Sequence, residues 1–326
     1  MIILLTSGDS LTGGAGTYAR ALESQVSSLR VASCDKNLGD YHIPNFNSIP
    51  GISAFFAVIK LIREKQASAI VCQSTGALLI SIFLRPLFPR LPIITIYHGL
   101  ASGYEGSYLR LLEVISALFA TKIVVTNLSD GAKIFSKGKQ VYIPNCSTRV
   151  GISGCIDRNG PLVSVTRWGR QKNNAMLREF FEISDVDFQI YSKESDHEFF
   201  RDIFRSDKQV CFYSSSKYEI YEHKSIFVLS TYSEGFPLSI LEAASIGLPI
   251  VVSKIDILVN ILGTKVQYFS SAEELKEITD KLRYDKAHYN EWSISSLSLS
   301  KQYSLERWVA NWVALLDIQS EHLVSD

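Results

Sequence analysis

At 326 residues the chain is long enough for two domains of ordinary size, and its 46% hydrophobic and 20% charged content excludes a disordered polymer. The net charge is zero, but 14 Lys and Arg stand against 8 Asp and Glu up to residue 150, and 19 against 25 beyond it, so the first half is the basic one. No basic stripe is interleaved with aromatic residues as single-stranded nucleic-acid binding requires, and no nucleic-acid partner is expected.

In chain order, Met1 to Gly8 lacks a basic leader and a long apolar core, so it reads as an opening strand rather than an export signal. Strands are predicted at Ile2–Leu5, Leu29–Ser33, Ala69–Cys72, Ile93–Tyr97, Lys122–Val125 and Gln140–Ile143. Helical apolar spacing falls between them at Thr17–Ser28, Ala54–Lys65, Ser107–Phe119 and Asp130–Ser136, the last capped by Ser129. The run Leu78 to Arg90 mixes apolar residues with Arg85 and Arg90. It fits an interior helix with a solvated end, or peripheral contact with an anionic membrane. It is too short and too broken by prolines to span a bilayer, which takes about 20 apolar residues.

Residues 146 to 160, rich in Ser, Gly and polar groups, read as an interdomain linker. Strands follow at Leu162–Thr166, Phe188–Tyr191, Gln209–Phe212, Ile226–Leu229, Ile250–Val252 and near Val266–Phe269. Ser271 with Glu274 forms a capping-box match, and Ser304 suits the start of the Trp308-bearing terminal helix. Alternating strands and helices predict an α/β fold with parallel sheets in two domains. The boundaries read as 1–149, 150–302 and a terminal helical stretch 303–326 returning toward the first domain. Five cysteines, Cys34, Cys72, Cys146, Cys155 and Cys211, are odd in number and scattered. Neither a disulfide framework nor a zinc site is indicated, and reduced cytoplasmic thiols are expected.

Parallel sheets bind ligands beyond the carboxyl ends of their strands, so the loops there should hold the working residues. After the first strand, Gly8 to Gly16 includes Gly13 and Gly14, where backbone can approach a phosphate. Gly14, Gly16, Ala19 and Asp35 imitate a dinucleotide fingerprint, but the glycines follow the strand too late for that turn. His98 with Gly99 ends the fourth strand. After the first strand of the second half, Arg167 and Lys172 are two cations five positions apart that can straddle a diphosphate. Asp185 and Asp187 have the D-x-D form of a divalent-metal site, yet they precede a strand, at its amino end, and read as turn residues. No other cluster has metal spacing.

The most informative stretch runs from Glu234 to Glu242, where the strand Ile226–Leu229 gives way to a helix. Pro237 suits a first helical turn, and the unpaired amides of Gly235, Phe236, Leu238 and Ser239 would cradle an anion beside Pro237. Glu242, a turn and a half further on, works against phosphate and suits sugar hydroxyls. The stretch Ser230 to Ser253 closely resembles the donor-site signature of the retaining, nucleotide-sugar-dependent family-4 glycosyltransferases. That family has the GT-B fold, two Rossmann-like domains facing across a cleft.

The resemblance implies a nucleoside-diphosphate sugar as donor and co-substrate, a glycan or lipid-linked glycan hydroxyl as acceptor, retention at the anomeric carbon, and no metal or other cofactor. By position it makes Glu242 the ribose ligand, Glu234 the neighbour of the donor sugar's hydroxyls, and Gly235 to Ser239 the backbone facing sugar and diphosphate. Arg167 and Lys172 become the diphosphate clamp, Gly13 and Gly14 the glycine pair, and His98 a hydrogen-bonding group near the transferred sugar. Arg170 has no counterpart. The chain departs from the family at Cys146, at Ser192 to Ser195 and at Ser214, where glycines are usual; the last two loops neighbour the base, so base identity stays open. A protein that keeps the fold and binds nucleotide sugar without turnover is the alternative.

Overall fold

The computed structural model describes all residues except 7–13, 100–106, 135–136, 148–155, 167, 170, 193–209, 213–218 and 322–326. The chain forms two compact units, Met1–Asn145 with Glu306–Asp326, and Cys146–Leu305.

In the first unit the strands are β1 (Ile2–Thr6), β2 (Leu29–Ser33), β3 (Tyr41–His42), β4 (Ala69–Gln73), β5 (Ile93–Tyr97), β6 (Lys122–Val125) and β7 (Gln140–Tyr142). Between them lie α1 (Gly14–Gln25), α2 (Ile52–Glu64), α3 (Thr75–Leu87), α4 (Ser107–Phe119) and the single turn α5 (Leu128–Gly131). The sheet order is β3-β2-β1-β4-β5-β6-β7, and every pairing is parallel. β1, β4 and β5 are buried at every residue. A parallel sheet covered on both faces demands this, and it explains why these strands are continuous apolar runs rather than alternating ones.

The run Leu78 to Arg90 resolves into α3, whose Leu78, Ile80, Ser81 and Leu84 are buried while Phe83 and Leu87 face solvent. It is therefore mainly an interior helix. Ser129 does not cap a helix from residue 130: α5 already starts at Leu128, because the Gly131 and Ala132 amides bond the carbonyls of Asn127 and Leu128.

The second unit contains β8 (Leu162–Val165), α6 (Asn174–Ile183), β9 (Phe188–Ser192), β10 (Val210–Phe212), β11 (Phe227–Leu229), α7 (Leu238–Ser245), β12 (Ile250–Ser253), α8 (Asp256–Leu262), β13 (Gln267–Phe269), α9 (Ala272–Tyr284) and α10 (Lys286–Gln302). Its sheet order is β10-β9-β8-β11-β12-β13, again all parallel. One core joins the sheet to α7 and α10 through Ile240, Leu241, Ala244 and Leu299. The other joins it to α6 and α9 through Leu177, Phe180, Leu275 and Leu282. Ser271 caps α9, accepting from the Glu274 amide at 3.2 Å. Glu274 reaches back to the Ser270 amide at 2.7 Å, which closes the box one residue further out than the simplest form.

The last helix, α11 (Leu305–Glu321), carries Trp308 and Trp312, both buried. Within the first unit Trp312 Nε1 donates to the Tyr18 hydroxyl at 2.9 Å, and Trp308 meets the Tyr18 ring edge-on at 5.0 Å. These indoles anchor α11 on α1.

Candidate functional site

Strand order places the crevices. In the second unit β8 leads to β9 on one side while β11 lies on its other side, so the topological switch falls between β8 and β11. The loops leaving the carboxyl ends of these two neighbours are residues 166–173 and 230–237. They are tied to each other. The Tyr232 amide and the Thr231 hydroxyl both donate to the Gln171 carbonyl, at 2.8 and 2.9 Å, and Ser230 Oγ donates to the Asn173 carbonyl at 2.8 Å. Ser253 Oγ at the end of β12 accepts from the Thr231 amide at 2.9 Å. The backbone on either side of Lys172 is thereby fixed.

This anchoring brings Lys172 Nζ into an ion pair with Glu234 Oε1, each side chain less than a tenth exposed. Two sequence-predicted site residues 62 positions apart in the chain thus meet. Asn173 caps α6, its side chain accepting from the Met176 amide at 3.3 Å. Asn173→Ala is expected to lower stability by about 1 kcal/mol, read from the urea midpoint. The Ser230 tether to the residue-173 carbonyl does not involve the Asn173 side chain and should survive.

Pro237 is not in the first helical turn. It is the N-cap residue of α7, in extended conformation at φ −68° and ψ 122°, and no side chain caps the helix. The first-turn amides beginning at Leu238 and Ser239 therefore have no N-cap side chain as acceptor, which suits an incoming anion. Phe236 contributes only backbone there, because its ring is buried in the core and meets Tyr303 edge-on at 4.8 Å. Gly235, Leu238 and Ser239 are partly exposed.

Glu242, on α7, is partly exposed. Its Oε2 accepts from the Tyr221 hydroxyl at 2.7 Å, and Tyr221 is itself buried against Phe227 with ring centroids 6.2 Å apart. Nothing in the sequence singles out Tyr221. It belongs to no periodic pattern, and only its spatial approach to α7 marks it.

Arg167, Arg170 and Gly13 lie outside the described residues, as do Lys193 to Ser195 and Ser214. Asp185 and Asp187 sit at the amino end of β9, the end opposite the 166–173 loop on the neighbouring parallel strand. Among the described residues no group of three or more His, Cys, Asp or Glu is placed to hold a metal.

In the first unit the switch falls between β1 and β4. Gly14 opens α1 after the seven residues that follow β1, and it is exposed. Gln73 ends β4 and is fully buried: its Nε2 donates to the Ala15 carbonyl at 2.9 Å, which leaves Oε1 facing His98 Nε2 at 3.0 Å. Nε2 must then carry the hydrogen, and Nδ1 is the acceptor. The imidazole stands edge-on to the Tyr18 ring at 4.6 Å. Desolvation pushes its pKa down to about 4 even though the residue keeps some accessible surface, so His98 is neutral at pH 7. Two backbone features flank it. Gly99 has φ 147°, which side chains rarely adopt, and Ser74 after β4 has φ 82°, a strain of about 1–3 kcal/mol of the kind that collects at working sites.

Residues 205–293, which include the Glu234 to Glu242 stretch, match the family Glycosyl transferases group 1. A segment of 102 residues, 31% of the chain, is 29% identical to alpha-galactosylglucosyldiacylglycerol synthase of Streptococcus pneumoniae and spans 27% of that protein's length. Among solved structures, sucrose-phosphate synthase of Thermosynechococcus elongatus superposes with a TM-score of 0.81 at 16% identity, covering 97% of this chain and 98% of the other. Anabaena Alr3699/HepE in complex with UDP and glucose superposes equally, at 0.81 with 13% identity and 97% and 99% coverage. The two parallel-sheet α/β units are the fold of GT-B glycosyltransferases.

Proposed function

We propose that the chain is a retaining, metal-independent hexosyltransferase (EC 2.4) that moves a sugar from a nucleoside diphosphate to a hydroxyl of a glycan or lipid-linked glycan, in the cytoplasm, for surface-polysaccharide assembly. The observation that carries this reading is the Lys172–Glu234 pair at the β8/β11 switch point, of which Glu234 lies inside the stretch matching the glycosyl transferases group 1 family. A solved neighbour holding UDP and glucose adds support.

In this reading the diphosphate lies over the uncapped start of α7 and takes Lys172 as its counter-charge, with Arg167 as the second cation. The bond from the anomeric carbon to the phosphate oxygen breaks as negative charge builds on the leaving diphosphate. Preorganised amides and cations that meet that charge are worth more in the transition state than in the ground state. The acceptor hydroxyl attacks on the face the diphosphate leaves, its proton passing to the departing phosphate oxygen, and Glu234 is released to the donor sugar's hydroxyls. The first unit carries the acceptor, and the neutral His98 offers Nδ1 as a hydrogen-bond acceptor.

Incubation with a panel of nucleotide sugars is expected to release free nucleoside diphosphate from one of them, faster with an acceptor extract. Binding without release under every acceptor would instead make the chain a silent nucleotide-sugar-binding protein. Because Tyr221 occupies Oε2 of Glu242, Oε1 is the oxygen assigned to ribose. Glu242→Ala is expected to weaken nucleoside-diphosphate binding about ten- to a hundredfold, as loss of a charged hydrogen-bond partner does. Tyr221→Phe is expected to weaken it by about fivefold while kcat holds. Calorimetry on both variants decides, and wild-type affinity in Glu242→Ala would remove the ribose assignment.

A further inference from the structure

Helices α2, α3 and α4 cover one face of the first unit's sheet. Val58 and Ile62 of α2, Ile80 and Leu84 of α3 and Ala117 of α4 share a single core with Ile3, Ile70, Ile93 and Ile123 of the strands. Away from that core each helix turns large apolar side chains to solvent: Ile52 and Phe56 on α2, Phe83 and Leu87 on α3, Leu111 and Leu118 on α4, all more than half exposed. Phe55 joins the first two pairs, with its ring 5.9 Å from Phe56 and 6.1 Å from Phe83, and α3 packs along α4. Single exposed apolar residues are ordinary, but a set spread over three adjacent helices marks an interaction surface. On a water-facing helix these positions are normally polar.

Charge selects the partner. Residues 52 to 119 contain six cations, Lys60, Arg63, Lys65, Arg85, Arg90 and Arg110, against Glu64, Glu105 and Glu113. Glu113 is buried, Glu64 lies 3.6 Å from Lys60, and Glu105 is outside the described residues. Arg63 sits 5.9 Å over the Phe88 ring and Arg85 donates to the Leu91 carbonyl at 3.2 Å, so cations border the apolar positions.

We propose that the outer face of α2, α3 and α4 docks on an anionic lipid bilayer, its apolar side chains entering the acyl boundary and its cations meeting phosphate headgroups. A second copy of the chain suits this face less well, because pairing it with itself would oppose two basic rims. The proposal locates a lipid-linked acceptor but does not rest on the donor chemistry, since vesicle binding is measured without donor or turnover.

The test is co-flotation of the full chain with phosphatidylcholine vesicles, with and without phosphatidylglycerol. Flotation is expected with the anionic vesicles only, and it should fall as salt is added. Phe56→Ser combined with Leu111→Ser should lower partitioning about tenfold or more. Lys60→Glu combined with Arg90→Glu should do the same on anionic vesicles, at about fivefold per cation. Unchanged thermal melts would show that these surface variants keep the fold. No flotation with either vesicle overturns the proposal, as does equal flotation of wild type and variants. A dimer in sedimentation that Phe56→Ser dissolves would also overturn it, giving the face to a second copy.

Discussion

Lys172→Ala is expected to lower unfolding free energy by about 3 kcal/mol, the lower end of what stranding one member of a buried ion pair costs, and to slow transfer about 10²- to 10³-fold. The two effects have one origin. Lys172 and Glu234 are each less than a tenth exposed and each is the other's counter-charge, so removing the ammonium leaves a carboxylate in a pocket poor in water. The double variant Lys172→Ala with Glu234→Ala removes both charges and should recover much of the lost stability. Non-additivity in that cycle is the direct measure of the pair. Glu234→Gln separates binding from catalysis: with the carboxylate gone, Lys172 no longer has to exchange partners when a diphosphate arrives. Nucleoside diphosphate should then bind about tenfold tighter, a gain of about 1.4 kcal/mol, while transfer falls because the donor sugar's hydroxyls exchange a charged acceptor for the weaker amide oxygen. Urea titrations and calorimetry on wild type, the two single alanine variants, the double variant and Glu234→Gln suffice. Equal stability across the cycle would mean that the pair is solvated, and unchanged diphosphate affinity in Glu234→Gln would mean that Glu234 does not compete with phosphate.

The parts of this site visible in the sequence are those governed by local rules. Ile226 to Leu229 announces a buried strand by composition, and Leu238, Ile240, Leu241, Ala243 and Ala244 switch to helical spacing, so the strand-to-helix junction and its Glu234 and Glu242 follow from residues alone. What stays hidden depends on long-range closure. The tethers from Ser230, Thr231 and Tyr232 to the 171–173 backbone require β8 and β11 to be neighbours, and no local pattern states a strand order. Tyr221 meets Glu242 across 21 positions with only a short 3-10 turn around it. The sequence leaves the role of the outer side of α3 open for another reason. Its outward positions Phe83 and Leu87 are as apolar as its inward Ile80 and Leu84, so the polar stripe that reveals an amphipathic helix is missing. Pro237 shows how narrow a boundary rule is, since proline fits both the first helical position and, as here, the extended residue before it.

Stability is expected to fall by about 3 kcal/mol as pH drops from about 6.5 to about 4, through His98 alone. The sign follows from the direction of its shift. Burial lowers the folded-state pKa from 6.5 to about 4, so between those values the unfolded chain binds a proton that the folded chain refuses. The unfolded state then gains as pH falls, and the contribution of the neutral imidazole, complete above 6.5, is lost on the way to 4. The surroundings explain the refusal: Gln73, held by the Ala15 carbonyl, already accepts from Nε2–H, and the edge-on Tyr18 ring offers no carboxylate to welcome a second proton on Nδ1. His98→Gln keeps an amide's hydrogen-bonding capacity without the titration, so its urea-derived stability should show a flatter slope over this range, and the difference between the two curves isolates His98 from the carboxylates. Activity between pH 5 and 8 should show no limb that His98→Gln removes, because the imidazole stays neutral throughout. Parallel stability curves for wild type and variant would mean that His98 titrates in the fold as it does in the open chain, and Nδ1 would then not be the dependable acceptor that the proposed reaction requires.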